Sequence, residues 1–116
     1  MKRTVSLKEN HLFRRAYNRG RSAADGRLAL YIRRNGRKGN RLGLTVSTKV
    51  GCAVVRNRIR RRLREIYRLN EDRLVSGADV VVVARARAAE SGYHQLEKSF
   101  LRLADKLELL KKEGIK

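Results

Sequence analysis

Apolar residues recur along this chain with two alternating periods, and each change of period marks a new element. Leu12, Phe13, Ala16 and Tyr17 share one side of a helical repeat, which predicts a helix from about Leu7 to Arg19. Ser6-Leu7-Lys8-Glu9 reads as a capping box at its start, and Gly20 as its C-terminal stop. Leu28 to Arg33 reads as a strand and Asn35 to Asn40, with two glycines, as a turn. Leu42, Leu44 and Val46 then alternate with Gly43, Thr45 and Ser47, the period-2 pattern of a half-buried strand. From about Ala53 to Asn70 the helical period returns, with Val55, Ile59, Leu63, Ile66 and Tyr67 on one stripe. Gly77 breaks the chain before Ala78 to Ala84, whose unbroken valines predict a strand covered on both faces. Tyr93, Leu96, Phe100, Leu103, Leu107 and Leu110 predict a C-terminal amphipathic helix, and residues 111–116 a frayed tail. The order is α-β-β-α-β-α, with Ser22 to Arg27 as an additional short strand. Residues 1–116 therefore form a single α+β domain, a mixed sheet with helices packed on it.

Charge changes what this scaffold is for. Thirty basic residues face 11 acidic ones, a formal charge of +19 over 116 residues. Self-repulsion on that scale opposes a compact state unless a polyanion neutralises it. Arginine outnumbers lysine 21 to 9, and its planar fork suits bidentate phosphate contacts and base stacking. A GC-rich or thermophilic source would explain that ratio equally well, but not the net charge.

The positive charge is densest on the second helix, where Lys49 to Tyr67 reads KVGCAVVRNRIRRRLREIY. Six arginines fall between Arg56 and Arg64. Asn57, Arg60, Arg61, Arg64 and Arg68 gather on one flank of the apolar stripe, with Arg58 and Arg62 on the other. The competing reading is a solvated charged face. A ring of surface ion pairs would need more acid than Glu65, the one carboxylate on this helix. Guanidiniums at i, i+4 spacing can instead grip successive phosphates, which points to nucleic acid. A membrane surface is disfavoured by the core-like stripe and the absence of tryptophan.

A second surface would combine Phe13, Tyr17, Tyr31 and Tyr93 with Arg14, Arg41 and Lys49, giving aromatic faces for bases and cations for the backbone. Judged on the residues alone, aromatics at helical spacing fit a hydrophobic core better.

Protein-borne chemistry finds little support. His11 and His94 are isolated, no Cys/His set has metal-ligand spacing, and Asp25, Asp72 and Asp79 form no evident constellation. Cys52 is the single cysteine, read as a small buried thiol; no intramolecular disulfide is possible, which suits an intracellular setting. No apolar run reaches the length of a membrane span. MKRTVSLKEN lacks the apolar centre of a signal peptide, so a cytoplasmic protein is expected.

The stretch KVGCAVVRNRIRRRLREIYR resembles the signature of the bacterial ribonuclease P protein subunit, an Arg-Asn-Arg motif on a helix after a Lys-x-x-Gly-x-Ala approach. Lys49, Ala53, Arg56, Asn57, Arg58, Arg60, Arg61 and Arg64 fall in the motif, with Gly51 one position from the commonest spacing. NHLFRRAYNRG, RLGLTVS and ADVVVVARARAA resemble the family's first helix, central strand and late strand. Thr48 stands where a second lysine is expected, Cys52 where asparagine would cap better, and Tyr17 where phenylalanine is usual. The resemblance implies a ribosomal protein S5 domain 2-like fold with a left-handed crossover around the motif helix. It also implies an accessory role, in which a catalytic RNA removes the 5′ leader of precursor tRNA and the protein lowers the magnesium demand. One protein per RNA is expected, with Mg2+ held mainly by the RNA and substrate. The arginine helix, Lys49 and Arg68 would contact the catalytic RNA. The first helix and sheet face would hold the leader, which moves Phe13, Tyr17 and Tyr31 into a cleft while Phe100 stays in the core. The alternatives are a basic ribosomal protein with no enzymatic role, a protein-only nuclease, and a DNA-binding repressor.

Overall fold

The computed structural model describes residues 1–111. Five strands, β1 (Thr4–Ser6), β2 (Arg21–Ala24), β3 (Leu28–Arg34), β4 (Asn40–Val46) and β5 (Ala78–Ala84), form one sheet in the order β1-β4-β5-β3-β2. Three helices accompany them, α1 (Asn10–Arg19), α2 (Ala53–Asn70) and α3 (Tyr93–Lys106). The sheet is mixed: β4 runs parallel to both β1 and β5, while β3 is antiparallel to β5 and β2. α2 is the crossover between the parallel neighbours β4 and β5. Because β5 is central, its valines are needed on both faces. Val80 and Val82 enter the larger core with α2 and α3, whereas Val81 enters a smaller one with Leu7, Leu12 and Ala16.

The larger core fixes α2. Ile59, Leu63, Ile66 and Tyr67 are buried against Leu42, Val46, Phe100 and Leu103, each such side chain contributing about 1.5–3 kcal/mol. A polar network locks the far end of the helix to the sheet. Asn40 Nδ2 donates to the Tyr67 hydroxyl at 3.1 Å and to the Val75 carbonyl at 3.0 Å. Asn40 Oδ1 accepts from the Ala78 N–H at 2.9 Å. The buried Glu71 carboxylate accepts from the backbone N–H groups of Lys2 and Arg3 and from the Thr4 hydroxyl. A rigid α2 follows, with its arginine flanks held at fixed positions relative to the sheet.

Two expectations change. α1 begins at Asn10, three residues late, and Glu9 occupies the cap position without a side-chain bond. Ser6 is instead the last residue of β1, a strand too short to leave a periodic signal. Gly20 does end α1, but in extended backbone; a Cβ there would lie 2.4 Å from the Ile32 carbonyl oxygen, so close packing is what requires glycine.

At the other end, α3 stops at Lys106. Glu108 takes φ +61°, its N–H bonds the Asp105 carbonyl at 3.0 Å, and the Leu109 N–H bonds the Ala104 carbonyl at 2.8 Å. This is a Schellman closure with glutamate in the left-handed position. Leu107 and Leu109 are buried on either side of the reversal, and Leu110 bridges to Leu74. Lys111 is tied by its N–H to the Arg73 carbonyl at 2.7 Å. The rest of the expected tail, residues 112–116, lies outside the described residues.

Candidate nucleic-acid interface

The apolar stripe of α2 faces the core, so its arginines face outward. Among the described residues, the exposed Arg61 and Arg64 have neither an ion pair nor a hydrogen-bond acceptor, and Asn57 is exposed one turn before Arg61. Arg60 donates to Asn57 Oδ1 at 3.2 Å and to the Val46 carbonyl at 3.4 Å. Arg56 Nε donates to the Gly51 carbonyl at 3.2 Å. These acceptors are neutral, so they orient the guanidiniums without cancelling their charge. Arg58 lies on the other flank with a buried Nε that has no acceptor among the described residues. Lys49, in a single 3-10 turn before α2, is exposed.

The opposite sheet face is only partly covered. α1 sits over its middle, and Phe13, Tyr17 and Tyr31 form a run of rings there. Centroids are 6.4 Å apart for Phe13 and Tyr17, and 4.9 Å apart, edge to face, for Tyr17 and Tyr31. Tyr17 is exposed, with Phe13 and Tyr31 half-buried. The Tyr17 and Thr45 hydroxyls lie 3.3 Å apart. Under Phe13 lies Gly43, where a Cβ would come within 2.6 Å of the ring. Gly43 and Thr45 are thus part of this site although neither was singled out in the sequence. The available signal was a glycine inside an alternating strand, which marks a close approach.

The two surfaces meet. β1 ends at Ser6, leaving the second half of β4 as an open edge. Leu7, Phe13, Leu44, Arg60 and Arg64 line one hollow over that edge. The cationic flank and the aromatic floor are therefore contiguous, and Arg14 adds an exposed cation on α1.

Several expected site residues lie elsewhere or are engaged. Tyr93 stands at the start of α3 against the larger core, on the other side of the sheet from Phe13, Tyr17 and Tyr31. Arg41 forms a bidentate pair with the buried Asp79, at 2.7 and 2.9 Å. Its charge is spent inside the protein, since β4 and β5 register the two residues side by side. Arg68 forms a two-pronged pair with Glu65 at 2.9 and 2.7 Å, and that bond lowers the Glu65 pKa. Cys52 is exposed rather than buried, because it precedes α2 as the cap residue. No capping bond forms, but the backbone N–H groups of Val55 and Val54 hold the thiol pKa below its ordinary value.

These features define a class: a small, strongly basic α+β scaffold that presents an arginine helix beside a half-open sheet face. Comparison narrows the class. The ribonuclease P family model matches residues 1–108, and the chain belongs to that family, as a protein component of a tRNA-processing ribonuclease. The ribonuclease P protein component of Natranaerobius thermophilus is 43% identical over 115 residues, spanning 99% of this chain and 100% of the relative. That of Alkaliphilus metalliredigens is 43% identical over 110 residues, spanning 95% and 99%. Among solved structures, the Staphylococcus aureus RNase P protein superposes with a TM-score of 0.85 at 30% identity, covering 91% of this chain and 97% of that one. The Thermotoga maritima protein gives 0.79 at 28%, covering 90% and 99%.

Proposed function

We propose that this protein holds ribonuclease P RNA on the Arg56–Arg64 face of α2 and the single-stranded 5′ leader of precursor tRNA on the aromatic sheet face. The contiguity of the two surfaces at Phe13, Arg60 and Arg64 carries this reading. Arg61 and Arg64 offer uncompensated guanidiniums to phosphates, while Arg56 and Arg60 are pre-oriented by neutral acceptors. The exposed face of Tyr17 and the half-buried rings of Phe13 and Tyr31 provide stacking for bases, with Thr45 beside them for a polar contact. Lys49 and Arg14 supply backbone cations at the margins. The RNA performs the hydrolysis, one protein serves each RNA, and the complex works in the cytoplasm; no helix among the described residues is long and apolar enough to cross a membrane.

Magnesium belongs to the RNA and substrate on this reading. Three carboxylates with little exposure are already engaged: Asp79 is held by Arg41 and Asn35, Asp25 by backbone N–H groups and Arg102, and Glu71 by three donors from Lys2, Arg3 and Thr4. Each would have to surrender these bonds to coordinate a metal.

Reconstitution tests the proposal. The purified chain alone should leave precursor tRNA intact, and adding it to its cognate RNA should restore cleavage at magnesium concentrations where the RNA alone is slow. No gain over RNA alone would contradict it. Co-sedimentation with ribosomal subunits together with indifference to precursor tRNA would favour a ribosomal role.

A further inference from the structure

The two flanks of α2 are tethered to different parts of the protein. Arg60 reaches the Val46 carbonyl on the β4 side, whereas Arg62 donates to the Ser91 carbonyl at 3.1 Å on the α3 side. Ser91 is buried between a 3-10 turn (Ala86–Glu90) and α3. Its hydroxyl accepts from Arg27 Nε at 3.0 Å and donates to the Arg87 carbonyl at 2.7 Å. The Arg87 side chain lies across Gly26, where a Cβ would sit 2.9 Å from Arg87 Cδ. Arg85 donates to the Asp25 carbonyl at 3.0 Å, and Arg102 pairs with the Asp25 carboxylate at 2.7 Å. Five arginines from α2, the β2–β3 turn, the segment after β5 and α3 thus converge on Asp25, Gly26 and Ser91.

Their partners set this cluster apart from an ordinary charged surface. Among the described residues, Arg102 alone of the five has a carboxylate partner. Arg27, Arg62 and Arg85 are fixed by carbonyl or hydroxyl acceptors. A neutral acceptor orients a guanidinium and leaves its charge and remaining donors free for a ligand. Holding this many cations around one carboxylate is unfavourable in the free protein, so the arrangement favours an anion. Arg85 and Arg87, on the segment after β5, and Arg102, on α3, are exposed and spread along the surface rather than around an enclosed pocket. That geometry suits an extended polyanion better than a single small ion.

We infer that this cluster binds the phosphodiester backbone of a folded segment of ribonuclease P RNA, so that RNA grips α2 on both flanks. The inference rests on the RNA-binding reading above and adds a surface on the side of α2 away from the aromatic cleft. The test uses the full chain and its cognate RNA, with affinity measured across a salt series for R85Q/R87Q and, as reference, R61Q/R64Q. R85Q/R87Q should weaken binding about tenfold at moderate salt and flatten the log-affinity against log-salt slope by about 1.5, while the preference for leader-bearing over leaderless substrate stays intact. Both residues are exposed, so an unchanged melting curve should accompany the loss. Wild-type affinity and slope in R85Q/R87Q, with R61Q/R64Q weakened, would overturn the inference and leave the proposed function standing. A loss confined to leader preference would overturn it as well. Wild-type binding in both variants would remove the RNA-binding reading and this inference together.

Discussion

The two faces of the sheet are built from alternate residues of the same strands, yet they serve opposite ends. On the α2/α3 face, Leu28, Leu30, Val80 and Val82 are closed over by two helices, and little of that surface reaches solvent. On the α1 face one short helix covers Val81 and leaves Tyr17, Thr45 and the rim of Phe13 accessible. Stability resides on the first face and surface chemistry on the second. A strand with period 2 can satisfy both because each side chain answers to one layer alone. The same division sorts the arginines. Those with a carboxylate in register, such as Arg41, belong to the scaffold, and those with neutral acceptors or none, such as Arg60 and Arg64, are available to a partner.

Substitutions should separate the faces. The largest loss of stability is expected on the closed one, where Phe100→Ala should cost about 3–5 kcal/mol in denaturant unfolding. Arg41→Ala should follow at about 3 kcal/mol, since it strands the buried Asp79 carboxylate. Arg64→Ala should leave stability unchanged; a stability loss equal to that of Arg41→Ala would erase the distinction between scaffold and surface arginines.

On the open face the expected effects are in affinity. Gly43→Val should push Phe13 off its floor and weaken leader binding about tenfold, consistent with about 1–3 kcal/mol per stacked base, while assembly with the RNA persists. Equal affinity in the glycine and valine forms would remove Phe13 from the cleft.

The smallest effect is a pH dependence. Burial opposes ionisation of Asp25, but the Leu28 and Arg27 N–H groups and Arg102 outweigh it and bring the pKa from 3.8 to about 2. Because the folded value is the lower one, the contribution is complete above about pH 4 and lost as pH falls towards 2. Asp25→Asn should remove about 1 kcal/mol of stability at neutral pH, allowing for solvent screening, and flatten the acid limb of the unfolding profile.

Much of this was legible in the sequence because periodicity and burial agree. α2 runs from Ala53 to Asn70 and β5 from Ala78 to Ala84, the limits that the isoleucine-leucine stripe and the valine run predict. The misreadings share a cause, since each depends on what the chain meets in space. β1 exists because β4 offers it a parallel edge. α3 ends early because a left-handed glutamate closes it, and the leucines beyond continue the core without the helix. The pairing of Arg41 with Asp79 follows from strand register across 38 positions. Tyr93 parts from the other tyrosines because α3 packs on the opposite face.

The most direct test is a pair of equilibrium measurements on Tyr31→Ala: its affinity for ribonuclease P RNA, and the preference of the assembled complex for precursor tRNA with a leader over tRNA without one. The expected result is unaltered assembly with leader preference reduced about tenfold. Leader preference at the wild-type level would contradict the account, and joint loss of assembly and fold would show that Tyr31 is a core residue.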